Sequence, residues 1–179
     1  MRLPGVSVQN ASTLKGLHQP TEHDTLTGMA QTLAKILLHL VFSTKERRPF
    51  LRDVDLRKEV HCYLGGILTQ LDCQPLAIGG IEDHVHLLLA QSRTATVADL
   101  VKELKRGSSV WIKNKASEMT GFAWQGGYGV FSVGQSQIDD VRDYIAEQEE
   151  HHRKISFQEE FRRLLQRYEI AFDERYVWD

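Results

Sequence analysis

Cysteine is scarce in this chain: Cys62 and Cys73 are the two in 179 residues. They make no disulfide framework and their spacing fits no zinc pattern, so a disulfide-stapled secreted domain is excluded and a reducing cytoplasm is the expected setting. Long apolar runs are also missing. Ile36 to Phe42 and Val85 to Ala90 fall far short of the roughly 20 residues a membrane-spanning helix needs, so no membrane partner is expected. The opening residues, MRLPGVSVQNASTLKG, lack the apolar core of a signal peptide. An excess of charge is absent as well. The formal net charge is -2, so bulk charge does not advertise a polyanion partner. With 41% hydrophobic and 26% charged residues, the composition is that of a folded domain and excludes a wholly disordered chain.

What is present is local organisation. Residues 1–30 are polar, turn-rich and without apolar period, and read as a flexible arm; Met29 is an alternative start. Residues 31–179 read as one domain. Ala34 to Ser43 is dense in branched and aromatic residues, a buried strand with Ile36, Leu38, Leu40 and Phe42 on one face. Pro49 marks a turn, and Leu51 to Leu71 carries Leu56, Val60, Leu64, Ile67 and Leu71 at helical spacing. Gln74 to Ile81 and His84 to Ala90 form a strand pair. Thr96 and Asp99 open a second helix that buries Val97, Leu100, Val101, Leu104 and Trp111. Phe122 to Val133 reads as a glycine-interrupted strand. Ser136 is expected to cap a helix running to about His152, and Ser156 with Glu159 to open a last short one. The order is that of a ferredoxin-like split β-α-β sandwich, α+β in class. It has an antiparallel sheet, helices on one face and an extra C-terminal helix carrying Tyr144.

The most informative tripeptide is His84-Val85-His86. Side chains alternate across a strand, so both imidazoles leave the same face while Val85, Leu87 and Leu89 enter the core. Such a pair is a bidentate platform for a divalent metal. With eight histidines in the chain, chance alone supplies about 0.4 such pairs. The pair alone therefore favours a structural reading, and its place on one face of a buried, leucine-rich strand brings the metal-binding reading level with it. In the following helix, Tyr144 and Gln148 are one turn apart. A tyrosine there is either an amphipathic edge residue or a covalent nucleophile, and the glutamine carbonyl could complete a metal site.

The two elements together resemble the single-tyrosine HUH transposases of small bacterial insertion sequences (the name stands for His, hydrophobic, His). The resemblance runs from about Ala34 to Asp179, through HLVFSTKERRPFL, IGGIEDHVHLLL, FAWQGGYGVFSV, DYIAEQEEHHR and FDERYVWD in that order. It implies that Tyr144 is the nucleophile and that His84, His86 and Gln148 hold a divalent metal, Mg²⁺ or Mn²⁺. It implies cleavage and rejoining of single-stranded DNA through a 5′-phosphotyrosine link, with DNA hairpins recognised at element ends. It further implies a homodimer with composite active sites, joined through the edge segment Phe122 to Val133. The relatives that act on repetitive extragenic palindromes leave an alternative open: a hairpin-binding regulatory module without turnover.

Basic residues cluster in two places, Lys45, Arg47 and Arg48, then Lys102, Lys105 and Arg106, and are expected to contact DNA. His151 and His152 read as complements of a helix dipole, and His39 and His61 as structural. The later acidic residues, Glu159 and Glu160 among them, read either as a solvated face or as a tail that compensates a local basic groove.

Overall fold

In a computed structural model of the protein, residues 32–178 are described; the expected N-terminal arm lies outside them. Four strands, β1 (Leu37–Ser43), β2 (Gln74–Gly80), β3 (His84–Ala90) and β4 (Gly129–Ser132), form one sheet in the order β2-β3-β1-β4. Every pairing is antiparallel. Helix α1 (Val54–Gln70) links β1 to β2, and α2 (Val97–Lys115) links β3 to β4. This is the split β-α-β arrangement expected from the order of periodic segments.

All seven residues of β1 are buried, because both faces of the sheet are covered. Leu38, Leu40 and Phe42 of β1 and Val85, Leu87 and Leu89 of β3 pack against Val60, Leu64 and Leu68 of α1 and Leu100 and Leu104 of α2. Each such side chain contributes about 1.5–3 kcal/mol on burial. The other face carries Leu37, Val41 and Leu88, and it is covered by three later helices. These are α3 (Ile138–Ala146), α4 (Gln148–His151) and α5 (Phe157–Arg167). Ile145 of α3 packs with Leu37 and Leu88, while Phe157, Phe161 and Leu165 of α5 pack with Val41 and Phe131.

Several sequence expectations are corrected here. Ile36 precedes β1 and is 46% exposed rather than buried. The strand expected over Phe122–Val133 is regular only at Gly129–Ser132. Upstream of it, Trp124 makes an isolated bridge to Thr44 and sends its indole N–H to Ser108 Oγ (2.8 Å). Ser136 does not cap the tyrosine helix: Gln137 Oε1 accepts from the Gly134 N–H (2.9 Å) at the end of a single 3-10 turn instead. The helix expected to run to His152 is interrupted at Glu147, where φ and ψ are -92° and 12°. The break lets Gln148 turn into the interior while Glu149 pairs with Arg57 on α1.

Candidate active site

The histidine face of the sheet is set by strand alternation. His84 and His86 leave β3 on the side opposite Val85 and Leu87, and both are fully buried under α3–α5. Gly79 of β2 stands opposite His86 in register, and a Cβ there would lie 2.5 Å from the carbonyl oxygen of Ile145. The missing side chain lets α3 sit directly on the strand. Next to it, Gly80 turns the chain toward His84 with φ 139°, a conformation that favours glycine.

Tyr144 and Gln148 come down from α3 and α4 onto the two imidazoles of the same chain. Gln148 Oε1 lies 3.1 Å from His84 Nε2, and its amide donates to Glu160 Oε1 (3.0 Å). The Tyr144 hydroxyl donates to the same carboxylate oxygen, and its ring lies edge-on to His86 at 5.7 Å between centroids. One chain therefore brings together all four residues singled out from the sequence. Within this one chain the tyrosine helix lies over the histidines of its own sheet. The short Gly134–Gln137 link returns α3 over its own sheet, where Ile145 and Val133 share a cluster.

Three further residues enter the site that sequence reasoning placed elsewhere. Glu160 of α5 is 2% exposed, not part of a solvated face. Its Oε2 lies 3.2 Å from His152 Nε2, 3.5 Å from His86 Nε2 and 3.9 Å from His84 Nε2. His152 faces the carboxylate and sends Nδ1–H to the Ile155 carbonyl (3.0 Å). His39, read as structural, bonds through Nε2 to His86 Nδ1 (2.9 Å). One signal for Glu160 was available: it falls at the helical spacing of Phe157, Phe161 and Leu164, a glutamate on an apolar stripe.

Electrostatics follow from burial. Burial pushes the His86 imidazole down to about 4 and, with the neighbouring His86, that of His39 to about 3. For Glu160 burial acts in the opposite sense, but the approach of His152 and His86 outweighs it and holds the carboxyl below its usual range. Burial raises the Tyr144 phenol, and the Glu160 charge raises it further.

The donor set suits a divalent ion. His86 Nε2, His152 Nε2 and Glu160 Oε2 are buried with no hydrogen-bond partner. His84 gives its Nδ1–H to Asp83 (2.7 Å), so a neutral ring turns a bare Nε2 toward another acceptor, Gln148 Oε1. Such a cluster of inward-facing donor atoms could hold a cation among them. A cavity of about 350 Å³, lined by His39, Tyr144, His151, Glu160, Arg163 and Arg167, leads to this cluster.

The expected DNA-contacting residues divide into two groups. Lys45–Arg47 forms a turn directly after β1, whose Ser43 pairs with His84, and Arg47 donates to Gln158 on α5 (2.8 Å). Arg48 pairs with Glu46 (2.7 Å) beside it. Lys102, Lys105 and Arg106 sit on α2, on the far side of the sheet from the histidines. Lys105 is held at about 8 by burial and donates to the carbonyls of Gln125 (2.8 Å) and Gly127 (2.6 Å); Arg106 pairs with Glu103.

A ferredoxin-like sheet whose paired strand histidines meet a tyrosine and a glutamine from the two helices that follow defines a protein of the single-tyrosine HUH class. The chain belongs to the family whose model is described as "Transposase IS200 like", which matches residues 32–148. Among solved structures it is similar to a candidate transposase from Deinococcus radiodurans R1, with 27% identity and a TM-score of 0.53, over 68% of this chain and 97% of that one. It also shares its fold with a REP-associated tyrosine transposase bound to a REP hairpin, at 12% identity and a TM-score of 0.51, over 70% of this chain and 74% of that one. A comparison with curated proteins gave no match. Among the described residues no helix is long and apolar enough to cross a membrane.

Proposed function

We propose that this chain cleaves and rejoins single-stranded DNA next to hairpins, with Tyr144 as nucleophile and His84, His86 and Gln148 as ligands of a divalent metal. The observation that carries this reading is the convergence of the Tyr144 hydroxyl, the Gln148 amide and both strand imidazoles on one buried spot behind an open cavity. A divalent ion held there supplies positive charge to the scissile phosphate. Tyr144 Oη forms a bond to phosphorus as the bond from phosphorus to the 3′ oxygen breaks, leaving a 5′-phosphotyrosine and a 3′ oxygen that takes up a proton. The phenol, raised by burial, needs an acceptor for its own proton, and Glu160 Oε1, which already accepts its hydrogen bond, stands in position for that role. The 3′-hydroxyl can later attack another phosphotyrosine, so strands rejoin without a nucleotide cofactor.

In this reading Lys45, Arg47 and Arg48 meet the DNA backbone, since they share the sheet end that carries His84. Lys102, Lys105 and Arg106 belong to a second, more distant contact, or serve α2 and the 125–127 loop alone. The proposed homodimer pairs β4 edges, with each chain carrying its own site. The test is incubation of the protein with labelled single-stranded hairpin DNA and Mn²⁺. A band that survives denaturation, lost in Tyr144→Phe, is expected. A non-covalent shift alone would instead mark a hairpin-binding regulatory module.

A further inference from the structure

The segment that defines the family ends at Gln148, yet two of the residues crowding the site, His152 and Glu160, lie beyond it. Resting on the metal role proposed above, we infer that these two residues are metal ligands as well. The metal is then held by His84, His86, His152, Gln148 and Glu160, a set that prefers a first-row transition ion such as Mn²⁺ over Mg²⁺.

The geometry supports five donors, not three. One donor atom each from His84, His86, His152 and Glu160 falls within a 4.8 Å span. The neighbouring donors are separated by 3.1 Å (Gln148 Oε1 to His84 Nε2), 3.2 Å (Glu160 Oε2 to His152 Nε2) and 3.5 Å (Glu160 Oε2 to His86 Nε2). Around an ion with bonds of about 2.1 Å, adjacent octahedral ligands stand about 3.0 Å apart. All three edges are close to that length.

Each imidazole is also oriented for the task. His84 is tied through Nδ1 to Asp83, His86 to His39 and His152 to the Ile155 carbonyl, which leaves every Nε2 facing inward. Outward hydrogen bonds from Nδ1 are the usual means of fixing a ligating histidine. Glu160 divides its oxygens: Oε1 accepts from Tyr144 and Gln148, and Oε2 has no hydrogen-bond partner. The carboxylate thus links the phenol to the metal position, and α5 is held there by Phe157, Phe161 and Leu165. Three imidazoles give the site its metal preference, because divalent transition ions, Mn²⁺ included, accept imidazole nitrogen more readily than Mg²⁺, which favours oxygen donors and bound water.

The experiment is metal titration of the full chain by calorimetry, with Mn²⁺ and Mg²⁺ in parallel. It is paired with pulsed electron paramagnetic resonance of the Mn²⁺ complex to count coordinated imidazole nitrogens. Wild type should bind Mn²⁺ through three imidazoles and prefer it to Mg²⁺. His152→Ala should leave two imidazoles, and His152→Ala and Glu160→Gln should each weaken Mn²⁺ by at least the roughly 10- to 100-fold that losing an outer hydrogen-bond partner of a ligand costs. If His84→Ala and His86→Ala lose Mn²⁺ while both α5-side variants bind it as wild type does, the wider ligand set is refuted and the metal role of the histidine pair survives. A wild-type chain that binds neither ion would overturn both. Should a variant fail to fold, the imidazole count of wild type decides alone: three supports the inference and two refutes it.

Discussion

Adding one methyl group at Gly79 should disable the site without touching any residue in it. The alanine Cβ would stand 2.5 Å from the Ile145 carbonyl oxygen and 2.8 Å from its Cγ2, against ordinary contacts of 3.4 Å or more. The obstacle is backbone, so no rotamer change relieves it, and α3 must lift from β2 by about 0.9 Å at that point. Tyr144 immediately precedes Ile145, and Gln148 follows within one turn, so both retreat from His84 and His86. Overpacking of this kind costs about 1–3 kcal/mol, and a displacement of about 1 Å at a reacting group lowers the rate by about 100-fold. Gly66→Ala provides the control. It lies in α1 with nothing within 4 Å of its added Cβ, and it should stabilise the protein by about 0.5–1 kcal/mol. The assay is the initial rate of covalent DNA attachment alongside thermal melting. A Gly79→Ala protein that melts and reacts like wild type would refute the argument that close strand–helix approach positions the tyrosine.

Two more predictions follow from the same structure. The His61 imidazole on α1 is held down to about 4, mostly by burial and further by Arg57. Its folded value lies below the ordinary 6.5, so its contribution to stability is complete above pH 6.5 and declines as pH falls toward 4; between pH 7 and pH 5 the loss is about 2 kcal/mol. Urea unfolding at both values should show a smaller drop for His61→Gln than for wild type, and equal drops would contradict the assignment. Separately, mixing a His84→Ala,His86→Ala protein with a Tyr144→Phe protein should restore no cleavage if Tyr144 acts on the histidines it meets within its own chain. Recovered cleavage after subunit exchange would show that the tyrosine helix can serve a partner.

Much of this organisation is legible in the sequence because its signals are local. The β-α-β-β-α-β order follows from apolar period, and the shared face of His84 and His86 follows from strand alternation. The one-turn spacing of Tyr144 and Gln148 holds even across the break at Glu147. Residues whose roles depend on distant partners are not legible in the same way. His39 meets His86 because β1 and β3 are neighbours, a pairing across 47 positions. Glu160 meets β3 because the aromatic face of α5 docks on Val41 and Phe131, and His152 because the chain turns back between α4 and α5. Periodicity marks such a glutamate as misplaced on its helix but does not name what it touches. The bounds of β4 were obscured for a related reason. Phe122 and Trp124 are apolar because they fill the core beside Phe42, not because they extend the ladder.

In the proposed reaction Tyr144 becomes covalently joined to the 5′ side of a cleaved DNA strand. Trypsin cuts after Arg142 and Arg153, so Tyr144 is released in the peptide Asp143–Arg153, separate from the peptide that carries Tyr128. After reaction with single-stranded hairpin DNA and Mn²⁺, nuclease trimming and digestion, mass spectrometry should find a 5′-linked nucleotide on Tyr144 in that peptide. A nucleotide on the Tyr128 peptide, or cleaved DNA with no modified tyrosine, would contradict the account.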